Sequence, residues 1–241
     1  MPLWEHLDDL RKVMVRCLLI ILVGFLAVYS FADQIVAFLE KPLLDVLPEG
    51  QKHLYFTGIA DKFFIYLKIS VYVSIAMTSP LLLHQVWGFI APALYKHERK
   101  VVAPFLFFAT LSFVAGLAFA YYMVLPTGYK FLIEYGPQTE RPIITISEYF
   151  TLTLQLMIAL GVVFELPVAL MVLGRLGIIQ PELLSRMRAH AYVLLSVLAA
   201  FITPTPDAFT MLLVMVPLFL LYELSVFLVK MTARQRVISS P

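Results

Sequence analysis

Charge is what this chain has least of. Only 14% of its 241 residues are Asp, Glu, Lys or Arg, while 61% are hydrophobic; soluble domains carry about 25% and about 45–50%. So sparse a charged surface excludes a single water-soluble core of this length, and lipid must solvate much of the exterior. The net charge of +2 leaves no basic footprint for nucleic acid. The one cysteine, Cys17, sits in an apolar run and can form no internal disulfide. The five histidines, His6, His53, His84, His97 and His190, fall in separate segments without paired spacing, a poor match to zinc or haem ligation. A phosphate-cradling Gly-rich loop, a serine elbow and a zincin motif are all missing. The residues therefore predict no enzyme, no cofactor and no metal, and any active work needs an outside energy source.

What is present is apolar length, with a mean hydropathy of +0.88. Six apolar runs cover residues 13–31, 63–92, 101–126, 149–173, 191–203 and 209–229. A membrane-spanning helix needs about 20 residues at about 1.5 Å rise each, which every run but the fifth meets. The fifth covers only about 20 Å of a roughly 30 Å core. It reads either as a buried hairpin arm or as a span in locally thinned bilayer. The second is taken, because Thr203-Pro204-Thr205-Pro206-Asp207 is a turn that sends the chain straight back. Fifteen prolines predict many helix ends and kinks. The expected architecture is an all-α integral membrane protein, one membrane domain over residues 1–241.

Basic residues set the orientation. Of 18 Lys and Arg, twelve occupy alternate connections: Arg11, Lys12 and Arg16; Lys96, Arg99 and Lys100; Arg175, Arg186 and Arg188; Lys230, Arg234 and Arg236. The positive-inside rule puts those segments, and both termini, in the cytoplasm. Ser30-Phe31-Ala32 resembles a cleavage site, but Glu5, Asp8 and Asp9 neutralise the basic residues before it, unlike the positive start of a signal peptide. No internal repeat is evident. The two outer loops, 32–62 and 127–148, are long enough for short helices. In the first, Ile35, Phe38, Leu39, Leu43, Val46 and Leu47 suggest an interfacial face.

A few residues could carry chemistry. Leu3, Leu7, Leu10 and Met14 recur at helical spacing, predicting a short helix along the cytoplasmic interface. Asp8 can pair with Lys12, while Glu5 and Asp9 share another flank. That flank is either a solvated face or an anionic patch that receives a basic ligand, since a guanidinium binds carboxylates bidentately. Glu98, among Lys96, His97, Arg99 and Lys100, either neutralises those neighbours or joins such a patch. Glu165 lies mid-run with no basic residue within a helical turn. An ionisable group there costs a few kcal/mol or more. It faces a cavity, a partner or water, or else is a protonated structural peg. Pro167 frees the carbonyl near Val163. Glu223 raises the same question nearer the cytoplasmic end, and Lys68 is expected to snorkel outward.

Several segments resemble one family. His6-Leu7-Asp8-Asp9-Leu10-Arg11 is similar to an H-L-x-E-L-R opening, and the stretch from Gln85-Val86-Trp87-Gly88 through Tyr95-Lys96-His97-Glu98-Arg99 resembles the longest signature of the TatC family. Phe119-Ala120-Tyr121-Tyr122, Phe164-Glu165-Leu166-Pro167 and Thr203-Pro204 to Asp207 follow in the family's order. The resemblance covers essentially the whole chain. It implies six transmembrane helices in a concave, glove-like bundle that receives twin-arginine signal peptides. Asp9 and Glu98 would bind the arginine pair, framed by Arg11, Phe89 and Leu94. Glu165 would lie within the concave membrane face, and Asp207 and Met211 at the outer turn that meets partners. Those partners would be TatA and TatB, other copies of the chain and membrane lipid, with folded cargo moved by the protonmotive force. Short fifth and sixth helices are a further family trait. The chain departs from the pattern at Asp9, where glutamate is usual, and at Met211, where glutamine is common. Its outer turn is one residue longer than Thr-Pro-Pro-Asp, and its C-terminal tail is short. A secondary transporter is the competing class, but it would show inverted repeats. A membrane redox enzyme would need paired histidines.

Overall fold

The structure is a computed structural model that describes residues 3–50, 52–90, 102–136, 143–175, 177–203 and 207–238. These residues are helical almost throughout, and the chain divides into two compact units. The first comprises Met1–Val114 with Arg141–Leu154, the second Ala115–Glu140 with Gln155–Pro241. Five helices are long and apolar enough to cross a membrane: Leu7–Tyr29, Asp61–Phe89, Phe105–Glu134, Ile146–Arg175 and Ala208–Thr232.

In the first unit, α1 (Leu3–Tyr29) packs along α3 (Asp61–Ile90). No glycine or proline interrupts residues 3–23, so nothing breaks the helix. The short interfacial helix expected at the N-terminus is therefore absent: Leu3–Met14 are the first turns of the long helix, and Leu7, Leu10 and Met14 are exposed. At Gly24 a Cβ would fall 2.8 Å from Thr78 Cγ2 and 3.3 Å from Ser74 Cβ. The small residue lets the two backbones approach closely, the usual means of joining helices in lipid. Tyr66 on α3 donates to Asp33 Oδ1, 2.8 Å away. Gly24 against Thr78 and Asp33 against Tyr66 make α1 and α3 antiparallel.

Helix α2 (Ala32–Leu44) covers one end of this pair. Its buried residues are Ala32, Val36, Leu39 and Leu43, with Leu47 following, a spacing that turns Ile35 and Phe38 off the packed face. The expected interfacial stripe is thus rotated by part of a turn, because it packs on protein; Tyr149 of α6 (Ile146–Val163) donates to the Leu39 carbonyl. Lys68 does not snorkel freely. Its ammonium donates to Thr151 Oγ1 of α6 at 2.9 Å, since that hydroxyl lies within reach of a half-buried side chain.

In the second unit the helix expected to end at Pro126 continues instead to Glu134. Helix α4 (Val102–Phe119) passes through a π-helical turn, Ala120–Val124, into α5 (Leu125–Glu134). Pro126 has no N–H and its ring crowds the preceding turn; the wider turn, with Leu125 N–H donating to the Ala120 carbonyl, accommodates it. The fourth apolar run is also divided. Helix α6 stops at Val163 and α7 (Leu166–Arg175) begins with Pro167 in its first turn. Helix α10 (Ala208–Ile238) has 31 residues, correcting the expectation of a short sixth helix. Pro217 is carried inside it, and no helix breaker follows before its end. Helix α9 (Arg188–Ile202) is the short one, with 15 residues.

The closest approach to another helix's backbone in this unit is at Gly116 of α4. A Cβ there would lie 2.8 Å from the Leu160 carbonyl oxygen and 2.9 Å from Gly161 Cα. At Gly128 the nearest atom, Thr210 Cγ2, would be at an ordinary 3.5 Å. Gly116→Ala is expected to destabilise by about 1–3 kcal/mol through overpacking against backbone, seen as a lower thermal midpoint in detergent. Gly128→Ala should leave that midpoint unchanged or raise it, because alanine favours the helix.

Candidate functional site

Three of the places that the sequence singles out carry polar groups on the apolar helices or at their ends. The first is the N-terminal end of α1. Counting back 15 residues from Gly24, about 22 Å of helix, brings Asp9 level with the α3 end near Phe89. Lys12 bridges two carboxylates there, Asp8 at 3.1 Å and Asp9 at 3.3 Å. All three side chains are more than half exposed, so water screens each contact and leaves it weak. A bidentate guanidinium could displace so weak a partner. The Asp8–Lys12 pairing follows the sequence expectation; the Asp9 contact adds to it. Arg11 is exposed and Phe89 half-buried. Glu98 and Leu94 lie outside the described residues.

The second place is Glu165, at the break between α6 and α7. Phe164 and Glu165 still donate backward, to Leu160 at 2.9 Å and Val162 at 3.1 Å, before Pro167 ends the ladder. The Phe164 ring packs on Phe119 of α4 at 5.6 Å, one turn from the Gly116–Gly161 crossing. Glu165 Oε1 is buried and without a hydrogen-bond partner among the described residues. A buried oxygen left without a partner costs about 1–3 kcal/mol.

The third place is the turn between α9 and α10, of which residues 204–206 lie outside the described residues. Thr203 is buried, its hydroxyl donating to the Ala199 carbonyl at 2.8 Å. Asp207 is the N-cap of α10. Its Oδ1 accepts from Thr210 N–H at 2.7 Å, and its Oδ2 from the Thr210 hydroxyl. Met211 is half-buried on the next turn. The extra residue in this turn has not cost Asp207 its capping geometry.

Sequence reasoning singled out Glu223 but not the partners that hold it. Glu223 of α10 accepts from Arg188 Nη2 at 2.8 Å and from the Tyr192 hydroxyl at 2.7 Å, both on α9. Tyr222 donates to the Leu184 carbonyl of α8 (Pro181–Arg186) at 2.8 Å. The available signal was spacing: Arg188 and Tyr192 are i,i+4, one face of a helix facing an apolar run that holds a carboxylate. No group of three His, Cys, Asp or Glu residues suited to a metal occurs among the described residues.

Five apolar helices long enough to cross a membrane, with polar groups at their breaks and ends, make this a multi-pass membrane protein. The family model described as Sec-independent protein translocase protein (TatC) matches residues 5–217. The TatC of Escherichia coli (strain K12) is 39% identical over 226 residues, 94% of this chain and 87% of that one. The TatC of Aquifex aeolicus (strain VF5) is 37% identical over 238 residues, 98% of each chain. A crystal structure of the twin arginine translocase receptor TatC superimposes with a TM-score of 0.83 at 37% identity, covering 94% of this chain and 99% of that one. The chain belongs to the TatC family. It is a non-enzymatic, multi-pass inner-membrane component of the Sec-independent protein translocase, which works with other Tat subunits.

The cap at Asp207 gives a direct check. Asp207→Ala should lower stability by about 0.5–2 kcal/mol, measured as a fall in the thermal midpoint, while Asp207→Asn should recover most of it.

Proposed function

We propose that this protein is the receptor subunit that binds twin-arginine signal peptides at the cytoplasmic membrane face and nucleates the complex exporting folded proteins. In this reading the chain is one membrane domain that crosses the bilayer six times with both termini in the cytoplasm. The twelve basic residues at alternate connections support that orientation, and α9 is the sixth crossing, about 22 Å of helix in locally thinned lipid.

The observation that carries the proposal is the weakly held, exposed carboxylate of Asp9 at the basic end of the α1–α3 pair. Asp9 and Glu98 together receive the two guanidinium groups, and Arg11, Phe89 and Leu94 frame them. Aspartate sets its carboxylate one methylene back from where glutamate would hold it, so the peptide must approach α1 more closely. Glu165 serves the transport path as an intramembrane acceptor, and Asp207 and Met211 face partner subunits at the outer turn. TatA, TatB and further copies of this chain complete the assembly, with the protonmotive force as the energy source.

Purified protein in detergent should bind a signal peptide with two arginines more tightly than one with two lysines, because lysine cannot make the planar bidentate contact. Equal affinity for both peptides defeats the receptor reading. Asp9→Lys and Glu98→Lys should each weaken binding at least tenfold, about 1.4 kcal/mol, and unchanged affinity removes that residue from the site. Glu165→Gln should reduce export of a folded reporter while leaving the thermal midpoint and peptide affinity intact. Normal export in that variant makes Glu165 a structural peg.

A further inference from the structure

The segment between α2 and α3 is unusual for a membrane protein's aqueous loop. Tyr55, Phe56 and Ile59 are all exposed, Ile59 completely so at 104%. Ile143, from the segment that pairs with Tyr55, is exposed beside them, and Phe63 and Phe64 extend the same character into the first turn of α3. A contiguous apolar patch of this kind marks a surface that meets something other than water.

The backbone beneath the patch is held by internal partners. Tyr55 N–H donates to the Ile144 carbonyl at 3.0 Å, and its own carbonyl accepts from Ile146 N–H at 2.7 Å. The Asp61 carboxylate accepts from Gly58 N–H at 2.6 Å, from Thr57 N–H at 3.1 Å and from the Thr57 hydroxyl at 3.2 Å. Asp61 N–H closes the turn on the Gly58 carbonyl at 3.1 Å. These contacts leave the amides of Tyr55, Thr57, Gly58 and Asp61 without need of solvent. Irregular backbone that approaches hydrocarbon must be satisfied internally.

Charge and continuity identify the occupant. Lys52, His53 and Lys62 are exposed on either side of the apolar residues, the arrangement in which basic groups reach headgroup phosphates while apolar side chains go deeper. The exposed apolar residues continue through Phe63 and Phe64 into α3, a helix long and apolar enough to cross a membrane, on which Val71 and Met77 are also exposed. Tyrosine and phenylalanine at this level match the aromatic girdle of membrane interfaces. We propose that the Tyr55–Ile59 loop, with Ile143, is a lipid-inserting element seated at the headgroup–acyl boundary of the leaflet that meets the α2 end of the first unit. It would fix the depth of α3 in the bilayer.

The single native cysteine makes the test simple. In the full chain carrying Cys17→Ser, a nitroxide is attached at Ile59→Cys, and the protein is placed in nanodiscs of phosphatidylethanolamine and phosphatidylglycerol. Relaxation by oxygen, which concentrates in lipid, is compared with relaxation by a water-soluble nickel chelate. Leu22→Cys on the exposed face of α1 and Glu49→Cys in the preceding loop are the lipid and water references. The label at 59 should give an oxygen-to-nickel ratio several-fold above that at 49, close to that at 22. A ratio equal to that at 49 overturns the proposal. So does an immobilised label shielded from both reagents, which would mean that another protein surface, such as a second copy, covers the loop. All three labelled positions are exposed, and an unchanged thermal midpoint confirms that the labelled chains are folded.

Discussion

Every backbone amide that enters hydrocarbon must find its partner inside the protein, and the rest of this structure follows from that constraint. It is why the described chain is helical and why the few departures from helix are closed by specific groups. The π-turn at Ala120–Val124 accommodates Pro126, the α6–α7 break sits at Pro167, and Asp207 and Asp61 hold the amides at two helix starts. Apolar side chains gain little by leaving lipid for protein, so helix association rests on close packing and a few polar contacts. Gly24 and Gly116 supply the close approaches.

The same scarcity of polar groups gives each remaining one significance. Glu223 is held by Arg188 and Tyr192 and serves as a tie between α9 and α10. Lys68 is tied to Thr151. Glu165, by contrast, has an oxygen that nothing described satisfies, and Asp9 is held only by an exposed lysine. Groups already tied stabilise the helix packing; groups left open are where a ligand, partner or proton can act. That division, more than the mere presence of carboxylates in apolar runs, separates structural from functional candidates here.

Much of this was legible in the residues. The apolar runs were located because a spanning helix imposes a length and a composition, but the third continues past Pro126 to Glu134 and the fourth, read as one run, breaks beside Pro167. Residues 203–207 were read as a turn on proline content alone. The misreadings have a common cause. The N-terminal stripe and the end at Pro126 were judged from local pattern, and the short last helix from family resemblance, whereas a helix continues wherever nothing stops it. Lys68 and the α2 face were misjudged because their partners, Thr151 and Tyr149, lie far away in sequence.

Composition and periodicity by themselves determined that this is an all-α membrane protein, where its apolar helices lie, and which ionisable residues are anomalous. Its motifs identified the family, since a specific string such as Gln85-Val86-Trp87-Gly88 needs no coordinates to be read. Only the tertiary structure decided which of those ionisable residues are satisfied. Hydropathy gives the cost of placing Glu165 or Glu223 in an apolar run as the same, because it sees no neighbour beyond the chain itself. The difference between them is a guanidinium 2.8 Å from one and an empty hydrogen-bond position at the other, and that is set by which helices pack together.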